Sequence, residues 1–371
     1  MLAVLNALQA GNRSGTGMYA ARLAEWLAQV EGEPDVAVIW PEGLPRRHSA
    51  YHVHEAILTR PARPAIRRLI YDQWGIYGDV RRLLANLVHY PANIGSLRSL
   101  HNMVLTVHDL SFLRDPSWFA FSRTTYYRRA VARSVKLATH IIADSESTAT
   151  DLQDLLRIPA KKISVVPLGV GERFQPSSDE CVATIREKYK LPDRFFLYMG
   201  TLEPRKNLVR LIQAWSRVAH DLPYDLVLAG RNGWKTEPIF SEAAQSTHRP
   251  RIRFLGFVPE DDRPVMMSAA HAFVWPSLWE GFGLPPLEAM ACGVPVLTSK
   301  VSSLPEVVGD GAILVDPANV EQIAHALVVI ATDEALRASL REKGRARAAQ
   351  FTWKKTAELT KRVYRSVLGV E

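Results

Sequence analysis

Short apolar runs recur along the chain at regular intervals. MLAVLNAL (1–8), VAVIW (36–40), MVLTVHD (103–109), HIIADS (140–145) and KISVVPLG (162–169) have the character of buried strands. A second series follows: FFLYMG (195–200), DLVLAG (225–230), IRFLGF (252–257), HAFVWPS (271–277), VPVLTS (294–299) and AILVD (312–316). Helix-like segments separate most of them. This alternation predicts an α/β fold of parallel sheets with helices on both faces.

The series breaks at residues 169–193, where GVGERFQPSSDE is polar and carries Pro and Gly, before a charged helix runs to Leu191-Pro192. A linker there predicts two domains, 1–170 and 190–345, a division that suits a chain of 371 residues. Two such domains facing each other make a cleft. Ligands of parallel sheets bind beyond the C-terminal ends of the strands, where helices begin. The last stretch, 351–369, reads as one amphipathic helix whose role the pattern alone does not assign.

Composition narrows the setting. The two cysteines, Cys181 and Cys292, stand in unrelated contexts and form neither a metal spacing nor a disulfide framework, so a reducing cytoplasm is expected. The N-terminal apolar run is short, lacks a basic flank and ends in glycines, so it is read as a first strand and not as a signal peptide. No apolar run is long enough to span a bilayer. The formal net charge is +8, and residues 46–98 hold nine arginines against three acidic residues, with Tyr71, Trp74 and Tyr77 among them. Basic residues interleaved with aromatics suit peripheral contact with an anionic membrane or an anionic acceptor; a solvated helical face is the plainer alternative. No zinc-finger, helix-turn-helix or RNA-binding motif is present, so nucleic acid is not an expected partner.

The chemistry concentrates at predicted strand ends. In WEGFGLPPLEAMACGVPVLTS (279–299), Gly281, Phe282 and Gly283 predict a tight loop with exposed backbone N–H groups, and Leu284 opens a helix with Pro285 and Pro286 in its first turn. The positive end of that helix favours phosphate. Glu288 suits two vicinal hydroxyls such as those of a ribose, and Glu280 suits sugar hydroxyls or a developing positive charge. In GTLEPRKNLVRLIQAW (200–215), Arg205 and Lys206 precede a helix, a place the macrodipole disfavours for cations unless an anion lies between. A diphosphate leaving group answers that description. Asn207 is a candidate cap for the same helix.

In the first half, Gly11, Gly15 and Gly17 follow the first strand, but the spacing is not a dinucleotide fingerprint and no acidic residue ends the second strand. His108 and Asp109 end MVLTVHD, and His108 is placed to donate to a sugar hydroxyl. Asp144, Ser145 and Glu146 end the next strand and read mainly as helix capping. Gly230 and Arg231 are further candidates for diphosphate or sugar contact, with Trp234 on the nucleotide side. Asp261-Asp262 reads as a solvated cap. There is no DxD pair, HExxH or clustered His–Cys spacing, so no metal site is expected.

Taken together, SGTG (14–17), TVHD (106–109), ADSEST (143–148), VVPLGV (165–170), GTLEPRKN (200–207), LGFVP (255–259) and the E-x7-E element from Glu280 to Glu288 resemble the retaining GT-B glycosyltransferases of family 4, and within them bacterial mannosyltransferases of polysaccharide and O-antigen assembly. The resemblance covers nearly the whole chain. It implies two Rossmann-like domains, with the final helix, 351–369, packing back on the N-terminal one. It implies that Glu280 lies near the donor sugar, Glu288 on the donor ribose, and Arg205 and Lys206 on the diphosphate. His108 would stand beside the donor sugar, the backbone of Gly256, Phe257 and Val258 around the base, and Gly15 and Gly17 in a loop that closes over phosphate.

The activity implied is transfer of a hexose from a nucleotide sugar, with GDP-mannose the expected donor, no cofactor and no metal, onto a lipid-diphosphate-linked saccharide at the cytoplasmic face. UDP-glucose, UDP-N-acetylglucosamine and dTDP-rhamnose are the alternative donors. A sugar-nucleotide epimerase and a non-catalytic sugar-nucleotide-binding protein are the competing functions.

Overall fold

Both series of apolar runs form parallel sheets. The computed structural model describes residues 1–12, 15–44, 57–62, 65–119 and 121–370; Ser14 and the parts of the arginine-rich stretch at 45–56 and 63–64 lie outside the described residues. The chain divides into two units, one of Met1–Pro116, Phe121–Gly169 and Thr352–Glu371, the other of Ser117–Ala120 and Val170–Phe351.

The first unit holds seven strands: β1 (Leu2–Asn6), β2 (Asp35–Pro41), β3 (Ile57–Arg60), β4 (Leu87–Tyr90), β5 (Met103–Val107), β6 (His140–Ala143) and β7 (Ile163–Val165). Their order is β3-β2-β1-β4-β5-β6-β7, all parallel. β1 lies between β2 and β4, with Ala3 in register with both Val36 and Leu87. Strands such as β4 and β5 are buried along their whole length, which is why β5 reads as a continuous apolar run without alternation. β3 and β4 carry no such signature. LVHY of β4 is only four residues long, contains a histidine, and sits in a stretch whose arginines suggest a helical face.

The helix Trp353–Leu368 belongs to this first unit. Its buried residues, among them Trp353, Ala357, Thr360 and Tyr364, recur at three- and four-residue spacing and pack it against the helix Gly15–Leu27. Thr352 caps it by accepting from the Lys355 N–H. Thr356 Oγ1 donates to the Pro167 carbonyl at 2.8 Å, and Lys361 Nζ donates to the carbonyls of Val30 at 2.6 Å and Gly32 at 2.7 Å. Burying side chains the size of Trp353, Val363 and Tyr364 contributes ~2 kcal/mol each toward offsetting the cost of ordering the helix.

A polar chain runs through the apolar packing between this helix and the sheet. Tyr364 OH lies 2.7 Å from His89 Nδ1, His89 Nε2 lies 2.7 Å from Thr106 Oγ1, and Thr106 Oγ1 lies 3.1 Å from Tyr19 OH. His89 is fully buried on β4. Burial, with a smaller push from His108, lowers its pKa to about 3, so the ring is neutral and shares protons with two hydroxyls, those of Tyr364 and Thr106.

The second unit holds β8 (Phe195–Met199), β9 (Asp225–Ala229), β10 (Ile252–Gly256), β11 (Ala272–Trp275), β12 (Val296–Ser299) and β13 (Ala312–Val315). Their order is β10-β9-β8-β11-β12-β13, again all parallel. From β8 the chain winds outward to β9 and β10; it then returns to β11 on the other side and winds outward to β12 and β13. The loops leaving β8 and β11 therefore diverge side by side, and a crevice opens there in doubly wound sheets. The helix Leu208–Val218 after β8 is fixed by Leu208, Leu211, Ile212 and Trp215, all buried at helical spacing.

The His89 network carries a pH signature. An unfolded histidine titrates near ~6.5, whereas the native ring stays neutral to about 3. Between those values the unfolded chain binds a proton that the native state does not, so stability is lost as pH falls, at up to ~1.4 kcal/mol per pH unit. His271, which burial pushes down to about 4, acts in the same direction. The thermal midpoint should fall between pH 6.5 and pH 4.5, and the fall should be shallower in His89→Gln. An equal slope in the variant would assign the acid sensitivity elsewhere.

Candidate active site

The crevice edge of the second sheet is organised around one carboxylate. Glu280, in the loop after β11, accepts at Oε1 from Lys206 Nζ (2.7 Å), Trp275 Nε1 (3.0 Å) and Ser277 Oγ (2.6 Å), and at Oε2 from Arg205 Nη1 (2.9 Å). Arg205 and Lys206 stand in the 3-10 turn Pro204–Lys206 after β8. The turn is tied across to the β11 loop by the Leu278 N–H, which donates to the Arg205 carbonyl at 2.8 Å. Arg205 Nη1 also donates to the Trp279 carbonyl, and its Nη2 to Glu203 Oε1 at 3.0 Å. Lys206 Nζ lies 4.6 Å from the centre of the Trp275 ring.

Two cations thus face two carboxylates in a nearly dry setting. Burial alone would raise the Glu280 pKa, but Lys206 and Arg205 outweigh it and hold the group at about 2. Lys206 is pushed down, by burial first and then by the adjacent Arg205 charge. Glu203 lies within GTLEPRKN, but its part as the second counter-charge is set by the turn geometry. Trp275, Ser277 and Ser302, whose hydroxyl accepts from the Glu280 N–H at 2.9 Å, join the cluster only through the fold.

The remaining predicted residues of this unit fall into three places. Gly281, Phe282 and Gly283 are buried, where the sequence predicts a tight loop with exposed backbone. Phe282 packs edge-on against Phe351 at 5.8 Å, and Ser303 Oγ donates to the carbonyls of both Glu280 and Phe282. Gly283, at φ +111°, sits where any other residue would be strained, and a Cβ there would lie 2.8 Å from Leu304 Cδ2. Leu284 then opens the helix Leu284–Ala291. Within that helix Glu288 is 2% exposed, and its Oε2 accepts from Arg263 Nη2 at 2.6 Å. Burial raises the Glu288 pKa despite Arg263. At the ends of β9 and β10, the Arg231 guanidinium lies 4.1 Å over the ring of Phe257, which is 47% exposed, while Val258 beside it is buried and the space around Gly256 is open.

Two expectations need correction here, and Trp234 is anchored by the segment 117–120. Asn207 does not cap its helix through its side chain; it adopts φ 61°, ψ 31°, and its Nδ2 donates to the carbonyls of Pro276 (3.0 Å) and Pro317 (2.7 Å), pinning three loops together. Asp262 is not a solvated cap but accepts from Lys188 Nζ and Tyr189 OH. Trp234 stacks on Phe119 at 6.0 Å and donates to the Trp118 carbonyl at 2.5 Å.

The first unit carries a second polar cluster at the ends of β5 and β6. His108 Nδ1 lies 2.7 Å from Asp144 Oδ2, and its backbone N–H donates to Asn93 Oδ1 at 2.7 Å. The Tyr19 ring meets it edge-on at 4.8 Å. Burial opposes charging His108, but the Asp144 carboxylate prevails and its pKa is raised. Asp144, 2% exposed, therefore does more than cap: it orients the ring and favours its protonated form. Ser145 accepts from the Thr148 N–H, as a cap does. Gly15 opens the helix Gly15–Leu27 with free space around it, whereas Gly17 is fixed by packing, because a Cβ there would meet the Asn12 carbonyl at 2.0 Å. Among the described residues no cluster of three or more His, Cys, Asp or Glu side chains is placed to hold a metal ion.

Comparison with known proteins decides what this arrangement belongs to. Residues 13–173 match the family described as Glycosyltransferase Family 4, and residues 182–347 match Glycosyl transferases group 1. The chain is 34% identical over 281 residues to the O-antigen chain mannosyltransferase B of Escherichia coli, covering 75% of this chain and 74% of that one. The chain belongs to the family 4 glycosyltransferases. A serotype-specific mannosyltransferase, WbdA of Escherichia coli, is 34% identical over 271 residues, 70% of this chain but only 32% of that longer protein.

Solved structures agree on the fold of this glycosyltransferase. The sucrose-phosphate synthase of Thermosynechococcus elongatus superposes with a TM-score of 0.79 at 21% identity, covering 100% of this chain and 99% of that one. HepE of Anabaena, solved with UDP and glucose, gives 0.75 at 18% identity, over 98% and 99% of the two chains. The glycosyltransferase therefore has the GT-B fold, built of two Rossmann-like units.

Two substitutions test the geometry. Glu280→Gln leaves Arg205 and Lys206 short of a buried counter-charge and should destabilise the protein by ~3 kcal/mol or more, read as a lowered unfolding midpoint. A midpoint within a degree of the parent would remove Glu280 from the centre of the cluster. Asp144→Asn should lower the His108 pKa, followed by the ring proton shifts in an NMR titration; an unchanged titration would show that Asp144 is not what raises it.

Proposed function

We propose that this glycosyltransferase transfers mannose from GDP-mannose, with retention of anomeric configuration, onto a hydroxyl of a lipid-diphosphate-linked saccharide. The observation that carries this reading is the Arg205–Lys206 pair, held ready on Glu280 and Glu203 at the switch point of the second sheet. A nucleoside diphosphate leaving group develops negative charge as the glycosidic bond breaks, and cations already desolvated and fixed stabilise it without reorganising. The relatives named as O-antigen mannosyltransferases support mannose as the sugar.

In this reading Glu280 is a positioning residue, because its oxygens receive four donors from the protein itself. Glu288 holds the donor ribose, with Arg263 fixing its carboxylate. The Arg231–Phe257 pair offers a flat, exposed face to the base next to the backbone of Gly256 and Val258. The backbone of Gly281, Phe282, Gly283 and Leu284, at the start of the helix Leu284–Ala291, lies on the phosphate side. In the first unit, His108 donates to the donor sugar and Gly15 and Gly17 border the phosphate. Bond breaking and forming occur on the same face of the sugar: the departing phosphate oxygen takes the proton of the acceptor hydroxyl as that hydroxyl oxygen bonds the anomeric carbon. Metal is not required, since Arg205, Lys206 and the helix dipole supply the positive charge.

A titration of purified protein with GDP, UDP, dTDP and ADP, without metal and then with Mg²⁺, tests the donor. GDP should bind most tightly, and equally well with and without Mg²⁺. Preference for UDP or dTDP would overturn the donor, and no binding of any would overturn the site. Lys206→Ala should lower kcat by about 10²–10³-fold with a smaller effect on KM, as for loss of one group acting on transition-state charge. Isolation of a covalent glycosyl-enzyme would refute the same-face mechanism.

A further inference from the structure

Nine large apolar side chains are exposed among the described residues, and four of them, Ile66, Leu69, Ile70 and Trp74, fall within nine consecutive positions. They stand on one continuous helical stretch, the helix Ala65–Ile70 running through a π-turn at Tyr71–Gly75 into the helix Ile76–Arg82. Its inward side is well anchored. Gln73 is buried, its Nε2 donating to the Gly95 carbonyl (3.2 Å) and its Oε1 accepting from the Leu97 N–H (2.7 Å), and Ile76 is fully buried. The exposed ridge is thus held by a fixed element, with Ile66 57%, Ile70 51% and Trp74 59% accessible. A contiguous apolar ridge on a rigid support marks an interaction surface, whereas apolar side chains exposed singly do not.

The charges of the stretch are sorted by side. Both carboxylates turn toward the protein: Asp79 is buried against Arg60 and accepts from Tyr71 OH at 2.6 Å, and Asp72 accepts from Asn6 Nδ2 at 2.7 Å. Arg67, Arg81 and Arg82 are exposed. The helix Phe121–Leu137 packs on the same loop, with Ser134 Oγ accepting from the Gly95 N–H and Arg133 Nε donating to the Leu97 carbonyl. It contains no acidic residue and exposes Tyr126, Arg128 and Arg129. Apolar side chains at one-turn spacing, a tryptophan and the exposed arginines of these two helical stretches match the chemistry of an anionic lipid interface.

We propose that the stretch Ala65–Arg82 docks this enzyme on a membrane bearing anionic lipid, with Ile66, Leu69, Ile70 and Trp74 entering the interface and the flanking arginines meeting lipid phosphates. The purpose of such docking rests on the reading of the acceptor as lipid-linked, but the surface itself is independent of the donor assignment.

Flotation of the full chain with vesicles of phosphatidylcholine, alone or with a third phosphatidylglycerol, tests it. The protein should float with the anionic vesicles and not with the neutral ones. The variant Leu69→Ser/Ile70→Ser/Trp74→Ser should lose about tenfold or more of that partition, and Arg67→Gln/Arg81→Gln should weaken it in a salt-sensitive way. Nucleotide binding and the unfolding midpoint, measured on the same samples, should stay at the parent values, so a failed donor assignment and a failed docking surface read out separately. Parent protein that floats with neither vesicle, or a triple variant that floats as well as the parent, would overturn the proposal. Retention through this helix by a soluble protein, without vesicle binding, would overturn it in favour of a protein partner.

Discussion

Four donors converge on the side chain of Glu280, and the edge of the second sheet takes its form from that convergence. Adjacent cations in a dry site repel each other and lose their hydration; neither Arg205 nor Lys206 would stay inside without Glu280 between them and Glu203 behind. The carboxylate also joins the loops that follow the paired strands β8 and β11. Asn207 and the Leu278 N–H complete the link with uncharged hydrogen bonds.

The first unit solves a different problem. It must join a helix from the far end of the chain to a sheet built from the near end. Apolar packing supplies most of the adhesion, and the buried Tyr364–His89–Thr106–Tyr19 chain fixes which way the helix faces. The same Tyr19 touches His108, so the orientation of the terminal helix and the setting of the candidate catalytic histidine share a neighbour.

Much of this was legible in the sequence, for a physical reason. Parallel strands covered on both faces must be apolar along their length, so FFLYM and MVLTV announce themselves. LVHY did not, because a histidine that spends its polarity on two buried hydroxyls looks polar in sequence and behaves as core in the fold. The acidic and basic residues at the strand ends were visible as unusual. Their pairing was not, since Glu280 meets Arg205 and Lys206 across more than seventy residues. The GFG segment differs in the opposite sense: the glycines suggest a tight loop with exposed backbone, whereas these residues are buried and Leu304 lies close to where a side chain at Gly283 would sit.

The division of the chain has a consequence for the order of assembly. The second unit is contiguous from Val170 to Phe351 apart from a four-residue contribution from Ser117–Ala120, whereas the first lacks its last helix until Thr352 and beyond have been made. During synthesis the sheet of the first unit emerges early but keeps the flank of the helix Gly15–Leu27 uncovered while the second unit is translated and folds. Residues made early thus wait for those made after the second unit, and a ribosome that stalls within the second unit leaves an apolar surface of the first exposed to chaperones and proteases.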